Sequence, residues 1–216
     1  MPRAQLPHKT IALVEIRITV FSDFSCPHSY VTESGLRRIR EPGLEIEYRA
    51  FELYPEPYPL PDRPLEPPEW EALKRLAEVA EIPLTEPGFV PRTTKSHEAS
   101  RFAREKDCEA ELRARIFDAY WIDGRDIGRI DVLTSVAEGV GLDPDELKIA
   151  LDIDRYADEV AHDQDVARHL RVPGSPTLFI GTGASARVVV GARDARQLRH
   201  LIHDTARSWA QPPDDG

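Results

Sequence analysis

Residues 21–30 read F-S-D-F-S-C-P-H-S-Y. They close an alternating run, A-L-V-E-I-R-I-T-V-F at 12–21. In it Val14, Ile16, Ile18 and Val20 share one face, and Glu15, Arg17 and Thr19 share the other. A period of two marks a strand with one buried face. Pro27 suits the first turn of a helix, where a missing N–H costs nothing. Val31, Gly35, Leu36 and Ile39 continue a helical stripe until Pro42-Gly43 stops it. Cys26 therefore falls at a strand-to-helix junction. Cys26 and Ser29 stand where a C-x-x-C redox motif has its two cysteines, and the second sulfur is missing.

Working outward, Leu44 to Leu53 alternates again and reads as a second strand. Residues 54–68, Y-P-E-P-Y-P-L-P-D-R-P-L-E-P-P, carry too many prolines for regular structure and read as a stiff connector. Helical stripes follow: Trp70, Leu73, Ala77 and Ala80; then a helix near 96–106; then Leu112, Ile116, Phe117, Tyr120 and Trp121; then Leu133, Val136, Ala137 and Val140. Asp143-Pro144-Asp145-Glu146 is a helix start, with Asp143 as cap and Glu146 placed to close a capping box. A helix near 154–170 comes next. Thr177–Ile180 and Arg187–Val190 read as strands around a Gly181-Thr182-Gly183 turn, and a last helix carries Leu198, Leu201 and Ile202. This order predicts an α/β thioredoxin fold with a large all-helical insertion. Residues 12–62 would form its first part, 63–165 the insertion and 166–209 its second part.

Composition narrows the chemistry. The 216 residues are 41% hydrophobic and 31% charged, ordinary for a globular chain. A net charge of -10 argues against nucleic acid as the main partner, since phosphate binding wants a basic face. Two cysteines exclude a disulfide framework and four-cysteine metal sites, and seven histidines without ligand spacing offer no metal site. The N-terminal stretch alternates instead of forming the apolar run of a secretory signal. No segment approaches the roughly 20 apolar residues of a membrane span. A cytoplasmic protein is the expectation.

A reactive cysteine needs a stabilised thiolate, and a helix N-terminus supplies free N–H groups and a favourable dipole. Cys26 is so placed, and His28 is expected to add a positive charge or a hydrogen bond. The plainer reading of Cys26 is a small buried hydrophobe. The second element is V-P-G-S-P-T at 172–177, where Ser175-Pro176 is the candidate cis bond before a strand. A cis proline there would leave the backbone of Ser175 free to bind an extended substrate. Asp23 reads as a cap for backbone N–H groups or a tuner of the thiol.

Three segments carry a family resemblance: S-D-F-S-C-P-H-S-Y at 22–30, D-A-Y-W-I-D-G-R-D-I at 118–127 and V-P-G-S-P-T-L-F-I-G at 172–181. Over roughly residues 12–208 the sequence resembles the DsbA-like thioredoxin superfamily. It is similar in particular to its cytoplasmic FrnE-type branch and to the neighbouring 2-hydroxychromene-2-carboxylate isomerases and kappa-class glutathione transferases. The site departs from both patterns. Dithiol members carry C-P-x-C, and isomerase members resemble S-P-x-S-Y. This chain has Cys26 and Pro27 of the first with Ser29 and Tyr30 of the second.

The resemblance implies a thiol–disulfide oxidoreductase in which Cys26 is the single catalytic thiol. With no resolving thiol beside it, Cys26 would hold a mixed disulfide until an outside thiol such as glutathione releases it. Two alternatives stand: a glutathione-dependent isomerase or transferase acting on a small electrophile, and a redox-silent module that keeps the groove to hold peptides. Pro27, His28 and Ser29 complete the expected catalytic set, with Ser29 either bonding the sulfur or lending polarity to the helix start. Ser175, Pro176 and His97 would line the substrate side, His97 because its T-T-K-S-H segment is similar to one that faces the cleft in the family. Cys108 is either a resolving thiol brought over by the insertion or an unpaired thiol. No cofactor is required, and glutathione is a candidate co-substrate. The expected partners are a disulfide-bearing protein or a small thiol or electrophile, and the chain itself is a monomer or homodimer.

Overall fold

The computed structural model describes residues 16–210. Four strands form one sheet in the order β2-β1-β3-β4. β1 (Ile16–Ser22) lies parallel to β2 (Leu44–Ala50), pairing Ile16 with Leu44 through to Ser22 with Ala50. Parallel neighbours need a crossover, and α1 (Pro27–Leu36) provides it. β3 (Thr177–Ile180) runs antiparallel to β1, and β4 (Arg187–Val190) antiparallel to β3. The register puts Ile18, Val20, Leu178, Ile180 and Val189 on one buried face. Leu36 and Ile39 cover it from the α1 side, and Leu198 and Ile202 from α8 (Ala195–Ala210). Asp194 and Gln197 cap α8 reciprocally: the Gln197 N–H donates to Asp194 Oδ1 at 2.8 Å and the Asp194 N–H to Gln197 Oε1 at 3.0 Å. Gly35 lets α1 and α8 meet, since a Cβ there would stand 3.0 Å from the Ala195 nitrogen.

Between β2 and β3 run six helices: α2 (Pro67–Val79), α3 (Thr94–Glu105), α4 (Glu109–Trp121), α5 (Ile130–Glu138), α6 (Pro144–Asp152) and α7 (Ala157–His169). Their apolar stripes form a second core around Phe102, Ile116, Phe117, Trp121 and Leu133. That core also takes in Phe24, Tyr30 and Val31. The insertion thus grips the strand-to-helix junction: Trp121 Nε1 donates to the Phe24 carbonyl at 2.9 Å. No helix among the described residues is long and apolar enough to cross a membrane.

Several expected boundaries shift. Residues 12–15, with Val14, lie outside the described residues. β2 stops at Ala50, where the Ala50 N–H donates to Asp163 Oδ2 at 2.8 Å on α7. α2 opens inside the proline-rich stretch, because Pro67 and Pro68 occupy first-turn positions that need no N–H donor. Asp143 caps α6 through the N–H groups of Asp145 and Glu146, but Glu146 does not close the capping box: its carboxylate takes Lys106 Nζ at 2.8 Å instead. α7 begins later than expected, since Asp154 adopts φ of 54° and ends the preceding run.

Candidate active site

β1 ends at Ser22, and the chain turns through Asp23, Phe24 and Ser25 into α1, whose N-cap is Cys26 and whose first residue is Pro27. The Cys26 N–H donates to the Asp23 carbonyl at 3.1 Å, closing the turn. Cys26 is 3% exposed. Across from it the Ser175–Pro176 bond is cis. The Cys26 thiol donates to the Ser175 carbonyl at 3.2 Å. Ser29 Oγ and Ser175 Oγ are 2.8 Å apart, and the Asp23 N–H points at both, 3.2 Å from Ser175 and 3.4 Å from Ser29. Cys26, Ser29, Ser175 and Pro176 are thus one constellation, assembled where the end of β1 meets the start of the neighbouring β3, far apart in sequence.

The electrostatics differ from what the helix start implied. Burial pushes the Cys26 thiol up, Ser175 and Ser29 pull it down, Asp23 pushes it up again, and the result is a raised pKa. The bond to the Ser175 carbonyl also requires the thiol proton. His28 supplies no cation, because burial lowers its pKa and Glu69 offsets this only in part. The helix start favours a thiolate and depth opposes it: Cys26 sits at the helix terminus but is buried.

Behind the sulfur lies a polar cluster. Asp23 is fully buried. Its Oδ2 accepts from the Leu53 N–H at 2.6 Å and Ser25 Oγ at 3.0 Å, and its Oδ1 from the Ser25 N–H at 3.2 Å. Burial alone would raise the Asp23 carboxyl, but His97, the Leu53 N–H and Thr93 outweigh it and hold it below the usual carboxylate range. His97, early in α3, is 2% exposed, with Nε2 3.6 Å from Asp23 Oδ1. It therefore stands beside the buried carboxylate and presents no open substrate wall. Tyr54 stands close enough that Asp23 and Cys26 both add to the upward push that burial exerts on its phenol. Arg92 ties this segment down, donating to the Tyr54 and Tyr58 carbonyls at 2.5 and 2.7 Å. Sequence reasoning missed Tyr54, because it sits in what reads as a linker.

Cys108 is not brought to Cys26. It is the half-buried N-cap of α4, facing Glu111 and Asp107, and both cysteines are free. Tyr120 and Trp121 are fully buried, as core residues should be. Among the described residues no group of three or more His, Cys, Asp or Glu side chains is arranged to hold a metal ion.

Comparison with known proteins agrees with this architecture. The protein YwbO of Bacillus subtilis (strain 168) is 33% identical over 150 residues, 66% of this chain and 75% of that one. A probable DsbA oxidoreductase from Streptomyces coelicolor superposes with a TM-score of 0.72 at 23% identity, covering 93% of each chain. A 2-hydroxychromene-2-carboxylate isomerase also gives 0.72, at 21% identity over 90% of this chain and 97% of the other. The cytosolic disulfide reductase DsbM from Pseudomonas aeruginosa, solved also with glutathione, gives 0.63 at 16% identity, over 90% of this chain and 97% of that one. These likenesses show the fold. The family model described as DSBA-like thioredoxin domain matches residues 17–203, and the chain belongs to that family.

Proposed function

We propose that this protein is a thiol–disulfide oxidoreductase that uses Cys26 as a single catalytic thiol. The observation that carries the reading is the Cys26 sulfur at the start of α1, 3.2 Å from the carbonyl that precedes cis Pro176. A substrate strand pairing with the Ser175 backbone would displace that thiol contact and bring its own sulfur to Cys26. Cys26 would then attack one sulfur of the disulfide, forming a mixed disulfide and expelling the other as a thiol. Ser29 cannot resolve that intermediate, so an external thiol must attack it, and glutathione is the proposed co-substrate. Pro27 fixes the first turn, Ser29 and Ser175 hold polar contacts around the sulfur, and His28 borders the site as a neutral ring.

The lone thiol sets the direction. With Ser29 in place of a second cysteine, Cys26 carries no active-site disulfide to donate, so the site is suited to taking disulfides apart, as a reductase. A reductase resolved by glutathione suits the FrnE-type branch and a cytoplasmic setting. The division into 12–62, 63–165 and 166–209 follows the same reading, the middle part shaping access to the sulfur.

Glutathione-dependent reduction of a small mixed disulfide tests this. Cys26→Ser is expected to reduce turnover to background, a loss of at least about 100-fold, as for removal of a nucleophile. Turnover retained in Cys26→Ser would overturn the proposal. The paired hydroxyls of Ser29 and Ser175 favour a second reading, a glutathione-dependent isomerase or transferase whose bound thiol takes the place of a catalytic one. Saturable glutathione binding by Cys26→Ser in calorimetry, without disulfide turnover by the native chain, would select it. Peptide binding with neither property would select a redox-silent module.

A further inference from the structure

β2 is an edge of the sheet, and an edge strand presents a row of unpaired backbone groups. The register says which groups these are. The Ile16 N–H donates to the Gly43 carbonyl at 2.9 Å and the Phe51 N–H to the Ser22 carbonyl at 3.0 Å. In a parallel pair, alternate residues of one strand bond its neighbour, so residues 45, 47 and 49 turn their backbone toward β1. Leu44, Ile46, Tyr48 and Ala50 turn theirs outward. Both ends of this outer edge are capped. The Leu44 N–H donates to the Glu41 carbonyl at 3.2 Å. The Tyr48 carbonyl accepts from Arg101 Nη1 at 3.1 Å and Arg104 Nη2 at 2.5 Å, and the Ala50 N–H donates to Asp163 Oδ2 at 2.8 Å. Four groups between the caps have no partner among the described residues: the Leu44 carbonyl, the Ile46 N–H and carbonyl, and the Tyr48 N–H.

This window opens into a cavity of about 1050 Å³. Leu44, Ile46 and Tyr48 line it from β2, Ala110 and Ala114 from α4, and Val140 from just beyond α5. Arg37 and Arg40 at the end of α1 and Arg115 on α4 border it. None of the three makes a salt bridge among the described residues, in a chain with 38 acidic and 28 basic side chains. Of the acids there, Glu41 takes His203 at 3.2 Å and Asp118 takes the Tyr30 hydroxyl at 3.3 Å, while Glu111 stays exposed at the start of α4.

We propose that the window in β2 and the cavity beside it form a docking site for an extended, acidic segment of a partner protein. A strand laid along β2 takes up all four free backbone groups, its alternate side chains enter the apolar cavity, and its carboxylates meet Arg37, Arg40 and Arg115. With α4 walling the cavity, a peptide fits where the edge of a second folded sheet does not. None of these residues belongs to the Cys26 constellation, so the inference stands apart from disulfide turnover.

Fluorescence anisotropy with a labelled peptide of alternating glutamate and valine, seven residues long, tests this on the full chain. Saturable binding is expected. Ile46→Pro removes one edge N–H without touching the ladder to β1 and is expected to weaken binding at least about tenfold. N-methylation of the central valine of the peptide is expected to do the same on the native chain, which keeps the test open if Ile46→Pro does not fold. Arg40→Glu with Arg115→Glu is expected to weaken binding by a similar factor, and a lysine–valine peptide to bind more weakly than the glutamate one. No saturable binding, equal binding of the two peptides, or binding unchanged by both Ile46→Pro and N-methylation overturns the proposal. A dimer in light scattering that Ile46→Pro dissociates would put a second copy on this edge and overturn it as well.

Discussion

Ser29→Cys is expected to convert the site into a dithiol and to accelerate release of the mixed disulfide by at least about tenfold, since resolution becomes intramolecular. The position is right for it. Ser29 is in the first turn of α1, three residues beyond Cys26, fully buried, with its hydroxyl facing Ser175 across the site. A sulfur there would lie within reach of a disulfide to Cys26, whose Cα separation must be under about 7 Å. Insulin reduction without added glutathione, supported by dithiothreitol, measures the gain. Mass spectrometry should show an internal disulfide that the native chain cannot form. A variant that folds yet releases mixed disulfides no faster would mean that Ser29 is not in the resolving position.

Arg113→Ala is expected to produce the largest loss of stability. Arg113 on α4 is buried, and Nη2 donates to Glu33 Oε1 at 2.6 Å and to Ser22 Oγ at 2.8 Å. Its Nε meets Glu33 Oε2 at 2.9 Å and its Nη1 meets Ser100 Oγ at 3.1 Å. The guanidinium also lies 4.5 Å from the ring centres of Phe24 and Tyr48. One charge therefore joins β1, α1, α3, α4 and the site loop. Removing it strands Glu33 in the interior, and breaking such a pair costs about 3–5 kcal/mol. At this size that corresponds to a fall of roughly 10 °C in Tm. Calorimetry checks it, and a Tm within a degree or two of the native value would show that the pair is not holding these elements together. Replacing Glu33 and Arg113 together by apolar residues of similar volume should cost less, because no charge is left unpaired.

The contrast between these residues explains what the sequence could disclose. Cys26, Pro27 and Pro176 announce themselves because a strand ends or begins beside each, and period-two runs are visible in one dimension. The same holds for the helical stripes, which found Trp121 and Tyr120 as core. Glu33 and Arg113 carry no such signal. Each looks like an ordinary polar helix residue, and only packing across 80 positions makes them partners. Tyr54 is hidden for a related reason: its role comes from where a proline-rich segment is tied, and that depends on Arg92 and Asp23. The sign of the Cys26 shift was lost because a motif reports position on a helix and not depth. A helix start stabilises an anion, but burial of the sulfur overrides it here. Burial works against a charge on His28 in the same way. His97 reads from the sequence as a residue of the substrate side, and the fold instead buries it beside Asp23, which reads first as a cap.

The most direct measurement is mass mapping of the native chain after incubation with oxidised glutathione. The account predicts one glutathione on the Cys26 peptide, released by added thiol and absent from Cys26→Ser, with Cys108 unmodified. Glutathione on Cys108 alone, or none at all on a chain whose Cys26 is reactive once unfolded, would contradict it.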